Sequence, residues 1–129
     1  LNRKILIVED DDIIRRLYVA ILTRRGYAAL EAADALSGIA LAKAQRPDII
    51  LMDIQMPGMD GLQATTIIHQ QPGLETVPVI AVTGHVTDEH LHRAREAGCV
   101  DFLAKPITSG QLIAAIARAL NDEGKPPDY

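Results

Sequence analysis

Cysteine is almost absent: Cys99 is the one thiol in 129 residues. No internal disulfide is possible, so the expected setting is a reducing compartment, the cytoplasm. Excess positive charge is absent too. Thirteen Lys and Arg face seventeen Asp and Glu, a formal net charge of −4, which argues against nucleic-acid binding, since that needs a basic surface. No apolar run approaches the length that spans a bilayer. The opening Leu1-Asn2-Arg3-Lys4 leads straight into a short apolar run, without the layout of a signal peptide. There is no internal repeat, no low-complexity stretch, no HExxH and no Cys/His spacing of a zinc site. An initiator methionine is also missing, and residues 122–129 are polar and proline-rich. Both features lean toward a piece of a longer protein, with one domain over residues 1–121 and a linker or frayed end over 122–129.

What is present suits one globular domain. Apolar residues make up 48% and charged residues 23%, and a chain of this size buries about two-thirds of its unfolded surface without staples. Three apolar runs are nearly continuous, as strands covered on both faces should be: Ile5–Val8, Ile49–Met52 and Val77–Val82. Val100–Ala104 is shorter, and Ala28–Ala32 is weaker still. Pro78 cannot donate a ladder hydrogen bond, so it belongs at the entry of its strand. Segments of helical spacing lie between the runs, at about 12–25, 35–45, 61–70, 87–97 and from 108 onward. In the first, Ile14, Leu17, Ile21 and Leu22 form the apolar side, and Arg15, Arg16, Arg24 and Arg25 read as a solvated face. Asp60 caps the third, and Thr108-Ser109-Gly110-Gln111 opens the fifth with a capping-box pattern. Five alternations of strand and helix imply a parallel sheet with helices on both faces, an α/β fold.

In such a sheet the strand C-termini share one edge, and ligands bind there. The residues that follow the strands are Glu9-Asp10, Asp53, Thr83-Gly84 and Lys105-Pro106. Carboxylates held close repel one another, and a hard divalent cation resolves that conflict. Mg²⁺ prefers one or two carboxylates, waters and a phosphate oxygen. A lysine suits a phosphate as a point charge, and a threonine hydroxyl donates to one. Asp53, ending the central apolar strand, is the nucleophile candidate, because carboxylates accept phosphoryl groups.

These residues resemble the receiver domain of two-component response regulators. The segments that carry the likeness are Ile5–Asp10, Asp48–Gly61, Val79–Gly84 and Ala97-Gly98 leading to Lys105-Pro106. It spans about residues 3 to 121. The resemblance implies a flavodoxin-like (βα)5 fold with strand order 2-1-3-4-5. It implies that Asp53 accepts a phosphoryl group from a phosphohistidine on a histidine kinase or histidine phosphotransfer protein. Glu9, Asp10, Asp53 and the backbone carbonyl of Gln55 would hold Mg²⁺, with Mn²⁺ as a substitute. Thr83 matches the switch hydroxyl and Lys105 the phosphate-binding lysine, with a cis Lys105-Pro106 bond. Gln55 and His85 would tune phosphoryl lifetime. The aromatic switch position falls on Phe102, where many members have Tyr, so any switch there works by packing alone. The resemblance also implies partner docking around Ile13, Ile14, Leu17 and Pro57, signalling through the surface of the fourth helix, fifth strand and fifth helix, and a homodimer through that surface.

Several residues also carry plainer readings. Asp11 and Asp12 are either extra ligands or, as capping preferences favour, the N-cap and first-turn charges of the first helix. His69, His90 and His92 read as solvated. Cys99, Met52, Met56 and Met59 read as packing residues. The main rival function is a Mg²⁺-dependent aspartyl-phosphate phosphatase. Such enzymes commonly carry a second Asp two residues on, where this chain has Gln55, and a cap for which it has no room. A flavin carrier of the same fold would meet a repelling loop at Glu9–Asp12. A docking-only module would have no need of the acidic set. The expectation is therefore a phosphoacceptor signalling domain, not a turnover enzyme, with no contact to membrane or nucleic acid.

Overall fold

A computed structural model describes residues 3–121; the proposed tail at 122–129 lies outside the described residues. The elements run β1 (Lys4–Val8), α1 (Asp12–Arg24), β2 (Ala28–Ala32), α2 (Ala35–Gln45), β3 (Ile49–Asp53), α3 (Gly61–His69), β4 (Val79–Thr83), α4 (Asp88–Glu96), β5 (Asp101–Ala104) and α5 (Ser109–Ala119). All strand pairings are parallel and the order is β2-β1-β3-β4-β5. This is the flavodoxin-like order that the resemblance to receiver domains implies. Pro78 stands one residue ahead of β4, where its missing N–H breaks no ladder bond, and its carbonyl accepts from Ile50 N at 2.9 Å.

Strand alternation divides the core. Ile5 and Ile7, Ile49 and Leu51, and Ile80 and Val82 face one side and pack with Tyr18 and Leu22 of α1 and Leu112, Ala115 and Ile116 of α5. Leu6, Val8, Ile50, Met52 and Val79 face the other side and pack with Ala35 and Ala42 of α2 and Ala64 and Ile68 of α3. Every residue of β3 and β4 is buried, which explains why those runs carry no polar alternation. Truncating a fully buried strand residue such as Ile50 to Ala would cost about 2–5 kcal/mol.

Local signals set the helix starts. Asp11 Oδ1 accepts from the Ile13 and Ile14 amides at 2.9 and 3.1 Å, so Asp11 is the N-cap of α1. Reciprocal capping boxes open α3 at Asp60/Gln63 and α5 at Thr108/Gln111. Helix α4 is the least anchored: of its nine residues only Ala94 is buried. Its Arg93 Nη2 reaches Asp60 Oδ2 at 3.1 Å, tying it to the cap of α3.

Three expectations need correction. Arg15 is not on the solvated face; it is 9% exposed. The buried stripe of α1 is Arg15, Tyr18 and Leu22, a spacing of three and four residues. It leaves Leu17 53% exposed and outside the core, whereas Ile14 and Ile21 pack against it. His69 is not free in solvent either. Its Nε2 lies 2.9 Å from Val77 O, and a Cβ on Gly98, at φ +93°, would stand 3.1 Å from its Nδ1.

Candidate functional site

The sheet register brings the strand ends together. Glu9 follows β1 and is 2% exposed, Asp53 ends β3 at 3%, and Thr83 ends β4 fully buried. Asp10, beside Glu9, is open to solvent. Lys105 follows β5, and its backbone N–H donates to Thr83 O at 2.8 Å, which locks the two strand ends in step. The Lys105-Pro106 peptide bond is cis.

Close approach of α3 shapes the β3 end. Gly61 N donates to Ile54 O at 3.2 Å. A Cβ on Gly61 would collide with Asp53 O and stand 2.8 Å from Ile54 Cα and Met52 Cγ. Only glycine admits that packing, so Gly61 sets where the Asp53 backbone lies.

Charge at this edge is unbalanced. Lys105 Nζ lies 2.7 Å from Glu9 Oε1 and 3.4 Å from Asp53 Oδ2. The Glu9 contact is a charge contact only: Glu9 Oε1 is buried and has no hydrogen-bond partner. Glu9 Oε2 accepts from Asp11 N at 3.1 Å, and Asp53 Oδ1 accepts from Gln55 N at 3.1 Å. Burial pushes the Asp53 carboxyl up to about 7, and the Glu9 charge adds to this; the Gln55 amide and the Lys105 ammonium act against it. Burial acts to lower Lys105, but its contacts with Glu9 and Asp53 prevail and the net shift is upward. Tyr18 lies in the core beneath these charges. Burial first, then Glu9, Asp53 and Asp11, push its phenol up to about 12, with Lys105 opposing; it stays neutral.

This donor set fits a hard cation. Glu9, Asp10 and Asp53 each offer a carboxylate oxygen, and those oxygens lie within 4.8 Å of one another. Glu9 Oε1, buried and met only by the Lys105 charge, keeps acceptor capacity for a cation. An oxygen-only set with one solvent-facing member matches the preference of Mg²⁺ for a few carboxylates plus waters.

The remaining candidates sit around this cluster. Thr83 Oγ1 donates to Gln55 Oε1 at 2.7 Å and accepts from His85 N at 3.1 Å. The side chains of Gln55 and His85 are exposed. Phe102, beside Ala81 in the β4–β5 register, is half-buried against Ile54, Leu62 and Ala94. Ile13 is 82% exposed and stands one helical turn from exposed Leu17; Ile14 turns into the core, and Pro57 is exposed on the β3–α3 loop.

Sequence reasoning missed Arg15. Its Nη1 donates to Glu9 O at 2.8 Å, Nη2 to Asp12 Oδ1 at 2.6 Å and Nε to Glu31 Oε1 at 3.2 Å. One guanidinium thus joins the carbonyl of an acidic-pair residue to α1 and β2. The available signal was its spacing from Tyr18 and Leu22, which is that of a buried stripe.

Known proteins share both the sequence and the shape. The polar-differentiation response regulator DivK of Brucella anthropi is 34% identical over 120 residues, covering 93% of this chain and 98% of that protein. The chemotaxis protein CheY4 of Vibrio cholerae superposes with a TM-score of 0.90 at 28% identity, over 93% of this chain and all of that one. The receiver domain of sensor histidine kinase PA1611 from Pseudomonas aeruginosa, solved with a magnesium ion coordinated in its active-site cleft, gives 0.86 at 33% identity, over 94% and 99%. The response regulator receiver domain family matches residues 5–117. The chain belongs to that family, a family of signalling domains.

Proposed function

We propose that Asp53 is the phosphoacceptor of a two-component or phosphorelay switch. The observation that carries this is a buried carboxylate at a strand end, 3.4 Å from the Lys105 ammonium and clustered with Glu9 and Asp10. An Asp53 oxygen attacks the phosphorus of a phosphohistidine on a histidine kinase or histidine phosphotransfer protein. The O–P bond forms as the N–P bond breaks, and the imidazole nitrogen keeps that electron pair and takes a proton. Glu9, Asp10, Asp53 and the Gln55 backbone carbonyl would hold Mg²⁺, or Mn²⁺ in its place. A bound dication neutralises charge on the transferring group. Lys105 supplies a second positive charge and moves with the group it contacts.

Thr83 and Phe102 carry the response toward α4, β5 and α5, where a homodimer or partner reads it. The exposed Ile13 and Leu17 pair, together with Ile14 and Pro57, forms the docking edge for the histidine-bearing partner. Gln55 and His85 flank the acceptor and set phosphoryl lifetime. Gln55 has no acidic proton to give a leaving group, which favours the switch over the phosphatase. No helix among the described residues is long and apolar enough to cross a membrane, and a cytoplasmic setting suits a domain that meets a kinase. The test is intact mass after incubation with acetyl phosphate and Mg²⁺. One added phosphoryl group is expected, absent in Asp53→Asn and without metal. An equal gain in Asp53→Asn would overturn the assignment.

A further inference from the structure

Building on the phosphoacceptor role above, we infer that Gln55 is a latch on the Thr83 hydroxyl, which a phosphoryl group on Asp53 must displace before Thr83 can bind it. Thr83 is fully buried, so its hydroxyl must find partners inside the protein. It has one proton to donate. That proton goes to Gln55 Oε1 at 2.7 Å; the alternative acceptor, His85 O, is farther away at 3.2 Å. The His85 amide donates to the same oxygen at 3.1 Å. This second donor also favours the orientation of the Gln55 amide with Oε1 inward. With its NH₂ turned toward Thr83, Oγ1 would accept twice and its proton would keep only the longer contact to His85 O.

A phosphoryl group offers the hydroxyl nothing but acceptor oxygens. Thr83 can therefore bind it only with the proton now held by Gln55. The exchange is an even trade in kind, one hydrogen bond for another. Gln55 is exposed, so its released carbonyl is hydrated at once, whereas the buried threonine always needs a partner. The latch therefore sets a threshold and does not block the switch. The same residue also touches the acceptor, through its backbone N–H on Asp53 Oδ1 at 3.1 Å. Gln55 acts here as a positioning residue, through Thr83. It couples the ligand-free rotamer of Thr83 to the loop that follows the acceptor.

The test is a double-mutant cycle on the whole chain with Gln55→Met, Thr83→Ala and the combined variant. Beryllofluoride with Mg²⁺ serves as the phosphoryl stand-in, titrated by ¹H–¹⁵N NMR. Gln55→Met should bind it about threefold to tenfold more tightly, the size of one net hydrogen bond. The same change in the Thr83→Ala background should do nothing. A second readout needs no ligand: three-bond couplings to the Thr83 methyl should report one χ1 rotamer in the parent chain and averaging in Gln55→Met. An equal gain in both backgrounds would overturn the latch, since Gln55 would then act by bulk. So would a Thr83 rotamer unmoved by Gln55→Met, with His85 O holding the proton. If none of the four proteins binds beryllofluoride, the phosphoacceptor role fails and the latch falls with it, whatever the rotamer shows.

Discussion

Arg15 Nη1 donates a 2.8 Å hydrogen bond to the backbone carbonyl of Glu9. Neighbours in sequence only through a turn, the two residues bind the end of β1 to the first turn of α1. The other arms of the guanidinium reach Asp12 and Glu31, so the cation that holds the Glu9 backbone is itself anchored to α1 and β2.

Replacing Arg15 by Met should therefore do two things. It leaves the Glu9 carbonyl without a partner inside the protein, at about 1–3 kcal/mol of stability, read as a lower urea midpoint. It also lets the Glu9-Asp10 turn relax, so Mg²⁺ should bind more weakly by calorimetry. A lower midpoint with unchanged Mg²⁺ affinity would confine Arg15 to the core.

Gly61→Ala should damage the end of β3 without touching a charged group. The added methyl meets the backbone at Asp53 and Ile54, atoms that move only with β3 or α3. Overpacking of this kind costs about 1–3 kcal/mol. Phosphorylation by acetyl phosphate should slow beyond what the stability loss explains, measured by mass under conditions where the variant is fully folded. A parent-like rate would show that the Asp53 backbone tolerates displacement.

The Asp53 carboxyl ionises at about 7 in the folded protein against an ordinary 3.8. The folded state thus holds its proton where the unfolded chain has lost it. That contribution is fully present below the unfolded value and is lost as pH rises through the folded one. Metal-free protein should lose melting temperature between about pH 4 and pH 7 more steeply than Asp53→Asn. A dication favours the ionised form, so the stabilisation by Mg²⁺ should be larger at about pH 8 than at about pH 5.5. Equal Mg²⁺ shifts at both pH values would place the metal away from Asp53.

Much of this was legible in the chain itself. The runs at Ile5–Val8, Ile49–Met52 and Val79–Val82 are apolar throughout because each strand is covered on both faces, and topology then decides which strand ends meet. The caps at Asp11, Asp60 and Thr108 are local chemistry, so short motifs reveal them. Arg15 was hard to read as buried: its stripe with Tyr18 and Leu22 and its neighbour Asp12 are local, but the Glu9 carbonyl and Glu31 that receive its other bonds lie at the end of β1 and in β2. The Leu17 error has the same root: once Arg15 takes the inward stripe, Leu17 turns out. The bond between Gln55 and Thr83 joins residues 28 apart, and two ordinary polar side chains carry no pattern that foretells it.

Ala94 is the one fully buried residue among the nine of helix α4, and Arg93 is fastened to Asp60. Substitutions at exposed positions away from caps and contacts usually change stability by less than about 0.5 kcal/mol. Most of α4 can therefore be rewritten at little cost to the fold, while the buried ends of β1, β3 and β4 admit almost no change. The molecule separates what must be kept from what may vary. The acidic edge is fixed by the core, and the exposed face of α4 is left open to selection.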